Sequence, residues 1–314
     1  MNTPLALGMD VGGTNIRLAL IDQSGCIVKQ ARTAAELSKC AESEPAAAGA
    51  FVLDILTQAM RPLLDAHHGN IQAVGIGFPG FFDSHTKTLI SSPNIPGLSH
   101  FPLGTLLAGQ LGLPVSVQND ASLAALGESR FGAGKGLLSL LHLTLGTGIG
   151  GGAIIDGRLY GGDGGMAMEI GHLRVAPEDR QCGCGASGCM ETWASATAVG
   201  ERFSALSGKT TGAREVGRLA DTGDAQAQGI LHDAGMVLGR GIAEAVKLLD
   251  IRHVSISGGL TGAWPHLAPA LEAELNARLI PPLVGKIKIL RSRLADDAGI
   301  LGAAALAFDM SKAG

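Results

Sequence analysis

LALGMDVGGTNIRLALID, residues 5–22, sets the terms for the rest of the chain. Apolar runs on either side of Asp10-Val11-Gly12-Gly13-Thr14 read as two strands joined through a glycine turn, with no helix between them. Adjacent glycines let backbone N–H groups approach phosphate oxygens, and Asp10 at the strand end can hold a hydrated magnesium ion. This is not a Walker loop, because no lysine follows at the required place and a strand comes next. The same arrangement returns in LLSLLHLTLGTGIGGGAIID, residues 137–156, where a strand breaks at the run Gly146-Thr147-Gly148-Ile149-Gly150-Gly151-Gly152 and resumes as AIID. Two such turns can clamp a polyphosphate. Ser257-Gly258-Gly259, after HVSIS at 253–257, supplies a third turn whose bare backbone suits a nucleoside.

Outward from these turns the chain alternates. Strands are expected at 26–32, 74–78 and 114–118, with helices over 46–67, 102–111 and from Asp120 to about Arg130. In the first helix Phe51, Ile55, Leu56, Leu63 and Leu64 fall near helical spacing, and Pro62 is a kink point. Beyond the second turn come helices at 225–249 and 265–279, a strand at 286–290, and the final helical stretch DDAGILGAAALAF at 296–308. Strands alternating with helices give an α/β fold with sheets covered by helices. Because the strand–turn–strand unit occurs twice, we expect two similar domains with a cleft between them. The first spans 1–122 and the second, larger one 123–296, with the helix at 297–314 returning to the first. Two domains closing over a substrate keep water from a group transfer.

Composition narrows the class. Of 314 residues 46% are hydrophobic, and the net charge of -4 provides no basic field for nucleic acid. The opening MNTPLALGMD has neither the charged segment nor the apolar core of a signal peptide, and no uninterrupted apolar run spans a bilayer. A cytoplasmic protein acting on small molecules is expected, with no membrane or nucleic-acid partner.

Five cysteines are present, and Cys182, Cys184 and Cys189 crowd into CGCGASGC. With His172 they make three sulfurs and one imidazole, the donor set of a closed, tetrahedral, structural zinc site. Cys26 and Cys40 stand apart as ordinary thiols. Asp120 follows Asn119 at a strand end. Alone it reads as a helix N-cap; its sharper role is the general base that takes a proton from a hydroxyl as a γ-phosphoryl group arrives. Asn119 can hold another hydroxyl. Glu169, three residues before His172, and Glu191, two after Cys189, are placed by the metal loop as hydroxyl acceptors. Asn94, in the stiffened loop SSPNIPG, is a further candidate contact.

Taken together, DVGGTN, GFPG (77–80), SPN (92–94), ND (119–120), GTGIGGG, EIGH (169–172), CGCGASGCMET (182–192), SGG and DDAGILGAA resemble the ROK family over nearly the whole chain. That family groups bacterial sugar kinases with sugar-responsive repressors. The resemblance implies an actin-like, ribonuclease H-like ATPase fold and Asp120 as catalytic base. It implies sugar contacts at Asn94, Asn119, Glu169, His172 and Glu191, zinc at His172, Cys182, Cys184 and Cys189, and a homodimer. The implied activity is magnesium- and ATP-dependent phosphorylation, at the 6-hydroxyl, of glucose or an N-acetylhexosamine. The alternatives are a sugar-responsive regulator or a non-catalytic sugar-binding protein. The first strand begins near residue 5, which argues against a preceding helix-turn-helix. One departure stands out: Met168 occupies a position where the family usually has glycine, which would reshape the sugar pocket.

Overall fold

The computed structural model describes residues 3–35, 37, 45–67, 69–83, 86–93, 95 and 97–311. The chain forms two compact units. Unit 1 takes in Met1–Leu138, Gly152–Ala167 and Asp296–Gly314; unit 2 takes in Ser139–Gly151 and Met168–Ala295.

Unit 1 opens with β1 (Leu5–Val11), β2 (Asn15–Asp22) and β3 (Ile27–Ala34), followed by α1 (Pro45–Ala66) and β4 (Ile71–Phe78). The segment expected to be loop carries three short strands, β5 (Phe81–Phe82), β6 (Leu89–Ser91) and β7 (Ser99–Phe101), which pair as a small antiparallel sheet. Then come α2 (Leu103–Leu111), β8 (Val115–Asn119) and α3 (Asp120–Phe131). The main sheet runs β3-β2-β1-β4-β8, antiparallel through β3, β2 and β1 and parallel from β1 to β8. α1 buries Val52, Leu56, Met60 and Leu63, a stripe at i, i+4, i+8 and i+11, while Phe51, Ile55 and Leu64 lie at its margin. Leu56 and Leu63 of the expected face are thus buried, joined by Val52 and Met60, while its other three members sit at the edge. Over Ala47–Ala66 this helix is long and apolar enough to cross a membrane, but its apolar stripe is spent on the core.

β9 (Leu140–Leu145) and β10 (Ile149–Ile155) flank the second glycine turn, and β11 (Arg158–Tyr160) follows. β10 begins inside the glycine run rather than after it, because three glycines in extended conformation still ladder with a neighbouring strand. Helices α4 (Glu191–Ala194), α5 (Ala196–Ser207) and α6 (Ala213–Asp221) were not expected from the sequence. α7 (Ala225–Leu249), β12 (His253–Ser257), α8 (Trp264–Arg278) and β13 (Lys288–Arg291) follow; of the elements in this stretch, β11 and residues 152–155 of β10 belong to unit 1 and the rest to unit 2. The second sheet runs β11-β10-β9-β12-β13, with β9, β12 and β13 parallel.

The last helix, α9 (Ala298–Ser311), packs on β1, β4 and α3 of unit 1. It comes so close that a Cβ on Gly75 would lie 1.8 Å from the Ala303 carbonyl, and one on Gly302 would lie 1.8 Å from the Leu123 carbonyl. Neither contact can yield by rotating a side chain. Glycine is required there by proximity, not by backbone angle.

Candidate active site

In unit 1 the parallel strands end along one edge, where open α/β sheets bind ligands. Asp10 is the penultimate residue of β1 and lies in register with Gly77 of β4, whose neighbour Phe78 is in register with Asn119 of β8. A Cβ on Gly77 would sit 3.6 Å from both Asp10 Oδ1 and the Asp120 Cα, so a bare glycine lies between the Asp10 carboxylate and the Asp120 backbone. The N-cap of α3 is Asn119, not Asp120: its Oδ1 accepts the Ser122 N–H at 3.1 Å. Its Nδ2 also donates to the Gly80 carbonyl at 3.3 Å, so the expected hydroxyl contact already serves the fold at both ends of its amide. Asp120, relieved of capping, accepts local backbone N–H groups, that of Ala121 at 2.9 Å and its own.

Both carboxyls hold protons more tightly than usual. Burial pushes Asp10 up from 3.8 to about 6, the Asp120 charge and then Asp296 adding to it while Arg17 opposes. Burial also raises Asp120, against the lowering effect of the Ala121 N–H. A base whose proton affinity is raised by burial suits hydroxyl activation. A divalent cation beside Asp10 would reverse the penalty on its charged form, so this acid fits a magnesium role. Arg17, cross-strand from Asp10, is anchored by Asp297 Oδ1 at 2.7 Å and by the Asp296 carbonyl. The Gly12-Gly13-Thr14 turn is exposed and is closed by the Gly12 N–H donating to the Asn15 carbonyl at 2.9 Å. Asn94 lies outside the described residues, as does Cys40.

Unit 2 gathers the other candidates. Gly146, Thr147 and Gly148 form a tight turn in which the Gly146 N–H donates to the Gly148 carbonyl at 3.0 Å. Glu191 Oε2 accepts the Ile149 N–H at 2.8 Å, and a Cβ on Gly148 would collide with that carboxylate. Glu191 therefore braces the turn as well as reaching toward the metal loop, where its Oε1 is 4.0 Å from Cys182 Sγ. Gly258 and Gly259 follow β12 at the start of a 3-10 turn.

Ligand atoms of His172, Cys182, Cys184 and Cys189 all lie within 4.8 Å of one another. Cys184 Sγ and Cys189 Sγ are 3.7 Å apart, and Cys182 Sγ is 3.5 Å from His172 Nδ1. A zinc tetrahedron with Zn–S about 2.3 Å and Zn–N about 2.0 Å demands edges of about 3.7 and 3.5 Å, which these two pairs match, and three sulfurs with one imidazole are a zinc donor set. Without a cation the cluster disfavours thiolates: burial pushes Cys189 up to about 12 and raises Cys182, while the Ala186 N–H lowers the exposed Cys184. A bound metal resolves that conflict. The fit assigns Nδ1 to the metal and leaves Nε2 facing Glu169 Oε2 at 3.9 Å. Gly185 and Gly188, at φ +89° and +78°, supply the left-handed turns that fold the sulfurs inward.

Met168 also adopts a left-handed conformation, φ +74°, next to Glu169. Its carbonyl would lie 2.4 Å from a Cβ on Gly151. The sequence reading missed a cavity of about 200 Å3 in this unit, lined by Thr147, Arg180, Cys182, Glu191, Ser195 and Glu201. Arg180 pairs there with Glu201 at 2.9 Å. A lone arginine in a loop carries no spacing signal, so only the fold reveals it.

Two five-stranded sheets, each with a glycine turn joining two of its strands, define the actin-like ATPase class. The model of the ROK family matches residues 6–310, and the chain belongs to that family. Glucokinase of Halalkalibacterium halodurans is 34% identical over 94% of this chain and 92% of its own length. N-acetylmannosamine kinase of Escherichia fergusonii is 33% identical over 96% of this chain and 97% of its own. The crystal structure of a ROK family glucokinase from Streptomyces griseus, in complex with glucose and AMPPNP, is 31% identical with a TM-score of 0.80, covering 97% of this chain and 99% of that one.

Proposed function

We propose that this chain is an ATP-dependent sugar kinase that phosphorylates a hydroxyl of glucose or an N-acetylhexosamine. The observation that carries the reading is Asp120, a carboxylate freed from capping by Asn119 and given raised proton affinity by burial. Asp120 takes the proton of the attacking hydroxyl as the γ-phosphoryl group of ATP is transferred. The glycine turns at 12–14 and 146–148 offer backbone N–H groups to phosphate oxygens, and Gly258-Gly259 receives the nucleoside. Magnesium, bound with the nucleotide and held through Asp10, neutralises phosphate charge. Glu169, Glu191, His172 Nε2 and Asn119 orient sugar hydroxyls, with Asn94 a further contact. Zinc held by His172, Cys182, Cys184 and Cys189 fixes the loop that carries Glu191 and the ring that faces Glu169. Relatives of the family that are about a third identical are glucokinases and N-acetylmannosamine kinases, and a structural neighbour binds glucose with an ATP analogue; both support the substrate class. The same resemblance supports a cytoplasmic homodimer.

The test is ATP consumption coupled to a panel containing glucose, N-acetylglucosamine, N-acetylmannosamine, allose and fructose. Turnover with at least one hexose is expected. Binding of several sugars without stimulated turnover would end the enzyme reading.

A further inference from the structure

β9 and β12 are central, parallel neighbours, yet only one face of the pair is apolar. Leu141, Leu143, Val254 and Ile256 alternate with His142, Thr144, Ser255 and Ser257, and the register sets His142 opposite Ser255 and Thr144 opposite Ser257. Alternation of this kind normally marks a sheet face open to water. Here His142 and Ser255 are fully buried, Ser257 nearly so and Thr144 partly. Burying four polar side chains in a sheet is costly unless they satisfy one another. They do: His142 Nδ1 lies 2.7 Å from Ser255 Oγ, His142 Nε2 lies 3.1 Å from Ser257 Oγ and 3.2 Å from Thr144 Oγ1, and Ser257 Oγ donates to Thr144 Oγ1 at 3.3 Å.

The ladder ends where two glycine turns begin. Thr144 is two residues before Gly146, and Ser257 immediately precedes Gly258. At that point the backbones nearly touch: Gly258, at φ +95°, leaves room for the Leu145 backbone, from which a Cβ would stand only 2.3 Å. The height of one turn relative to the other is thus set by the strand ends, and His142 is the only member that reaches hydroxyls on both sides of the upper rung and the serine of the lower one.

We propose that His142 is a positioning residue that locks the Gly146-Thr147-Gly148 and Gly258-Gly259 turns in mutual register, and so sets nucleotide affinity without touching the nucleotide. This rests on the assignment of those turns to ATP. A serine–imidazole pair could also signal a nucleophile, but complete burial leaves no access for a substrate.

His142→Leu keeps the volume and removes the ring's hydrogen bonds to Ser255, Ser257 and Thr144. We expect its KM for ATP and its Kd for AMPPNP to rise about tenfold, with the sugar KM within twofold of the parent. His142→Gln, which can bond two hydroxyls, should recover most of the loss. Ser257→Ala, a milder change that serves if His142→Leu does not fold, should weaken AMPPNP several-fold and leave sugar affinity alone. Parent-like nucleotide affinity in folded His142→Leu or Ser257→Ala, or equal losses for sugar and nucleotide, overturns the proposal. Failure of the kinase reading itself would be seen separately, as absence of sugar-stimulated turnover in the parent.

Discussion

Asp10 shows how a functional residue can work against its own fold. Its folded proton affinity, raised from 3.8 to about 6, means that the folded state keeps a proton the unfolded chain has already released. Ionisation therefore opposes folding progressively as pH rises from about 4 to about 6, and the full penalty, about 3 kcal/mol, applies above that range. Asp10→Asn should then stabilise the metal-free protein at pH 7.5, with the gain vanishing below pH 4 and catalysis lost. Unfolding measured across that pH range checks it, and a gain independent of pH would remove burial as the cause. Asp120→Asn should lower kcat by a factor of about 10² to 10⁴ while sugar binding stays measurable by calorimetry. Retained turnover would refute the base assignment. Met168 belongs to the same scale. A β-carbon at φ +74° is strained, so Met168→Gly should cost less stability than a methionine-to-glycine change elsewhere and should alter the sugar KM more than the ATP KM. Sequence alone marked Asp10, Asp120 and Met168 as residues of interest, but it could not separate Asp120 from a helix cap. That required seeing Asn119 take the Ser122 N–H.

At the scale of elements, the final helix is the clearest case of backbone deciding composition. Gly302→Ala would drive a methyl group into the Leu123 carbonyl, and neither α3 nor α9 can give way by rotating a side chain. We expect a loss of about 2 kcal/mol or more in chemical denaturation, against little change for Gly164→Ala, which meets nothing within 4 Å. The glycine-rich tail DDAGILGAA was readable as helical but not as a helix with two faces pressed on backbone. Likewise, of Phe51, Ile55, Leu56, Leu63 and Leu64, the expected α1 stripe, the structure fully buries Leu56 and Leu63 and completes the stripe with Val52 and Met60. Adjacent apolar residues, Phe51-Val52-Leu53 and Ile55-Leu56, leave helical periodicity ambiguous by one residue, and only the packed core resolves it. The short strands β5, β6 and β7 and helices α5 and α6 escaped for a related reason: their patterns are too brief or too polar to outweigh loop signals.

For the whole molecule, the zinc loop ties metal binding to one unit. Cys184→Ser should abolish stoichiometric zinc, read by elemental analysis, and raise hydrogen exchange in Ser139–Gly151 and Met168–Ala295 while Leu5–Phe78 keeps its protection. Unchanged metal content, or exchange rising equally everywhere, would contradict that. The repeated strand–turn–strand units, the alternation that makes the fold α/β, and the three cysteines whose spacing suggests a metal were all legible from residue order. Those are local patterns, written in neighbouring residues and legible without coordinates. Tertiary structure alone decided which nitrogen of His172 faces the sulfurs, how tightly Asp10 and Asp120 hold protons, and that His142 joins Ser255 and Ser257 more than a hundred residues away. Desolvation and hydrogen-bond distance depend on what the fold brings alongside, and no spacing along the chain encodes that.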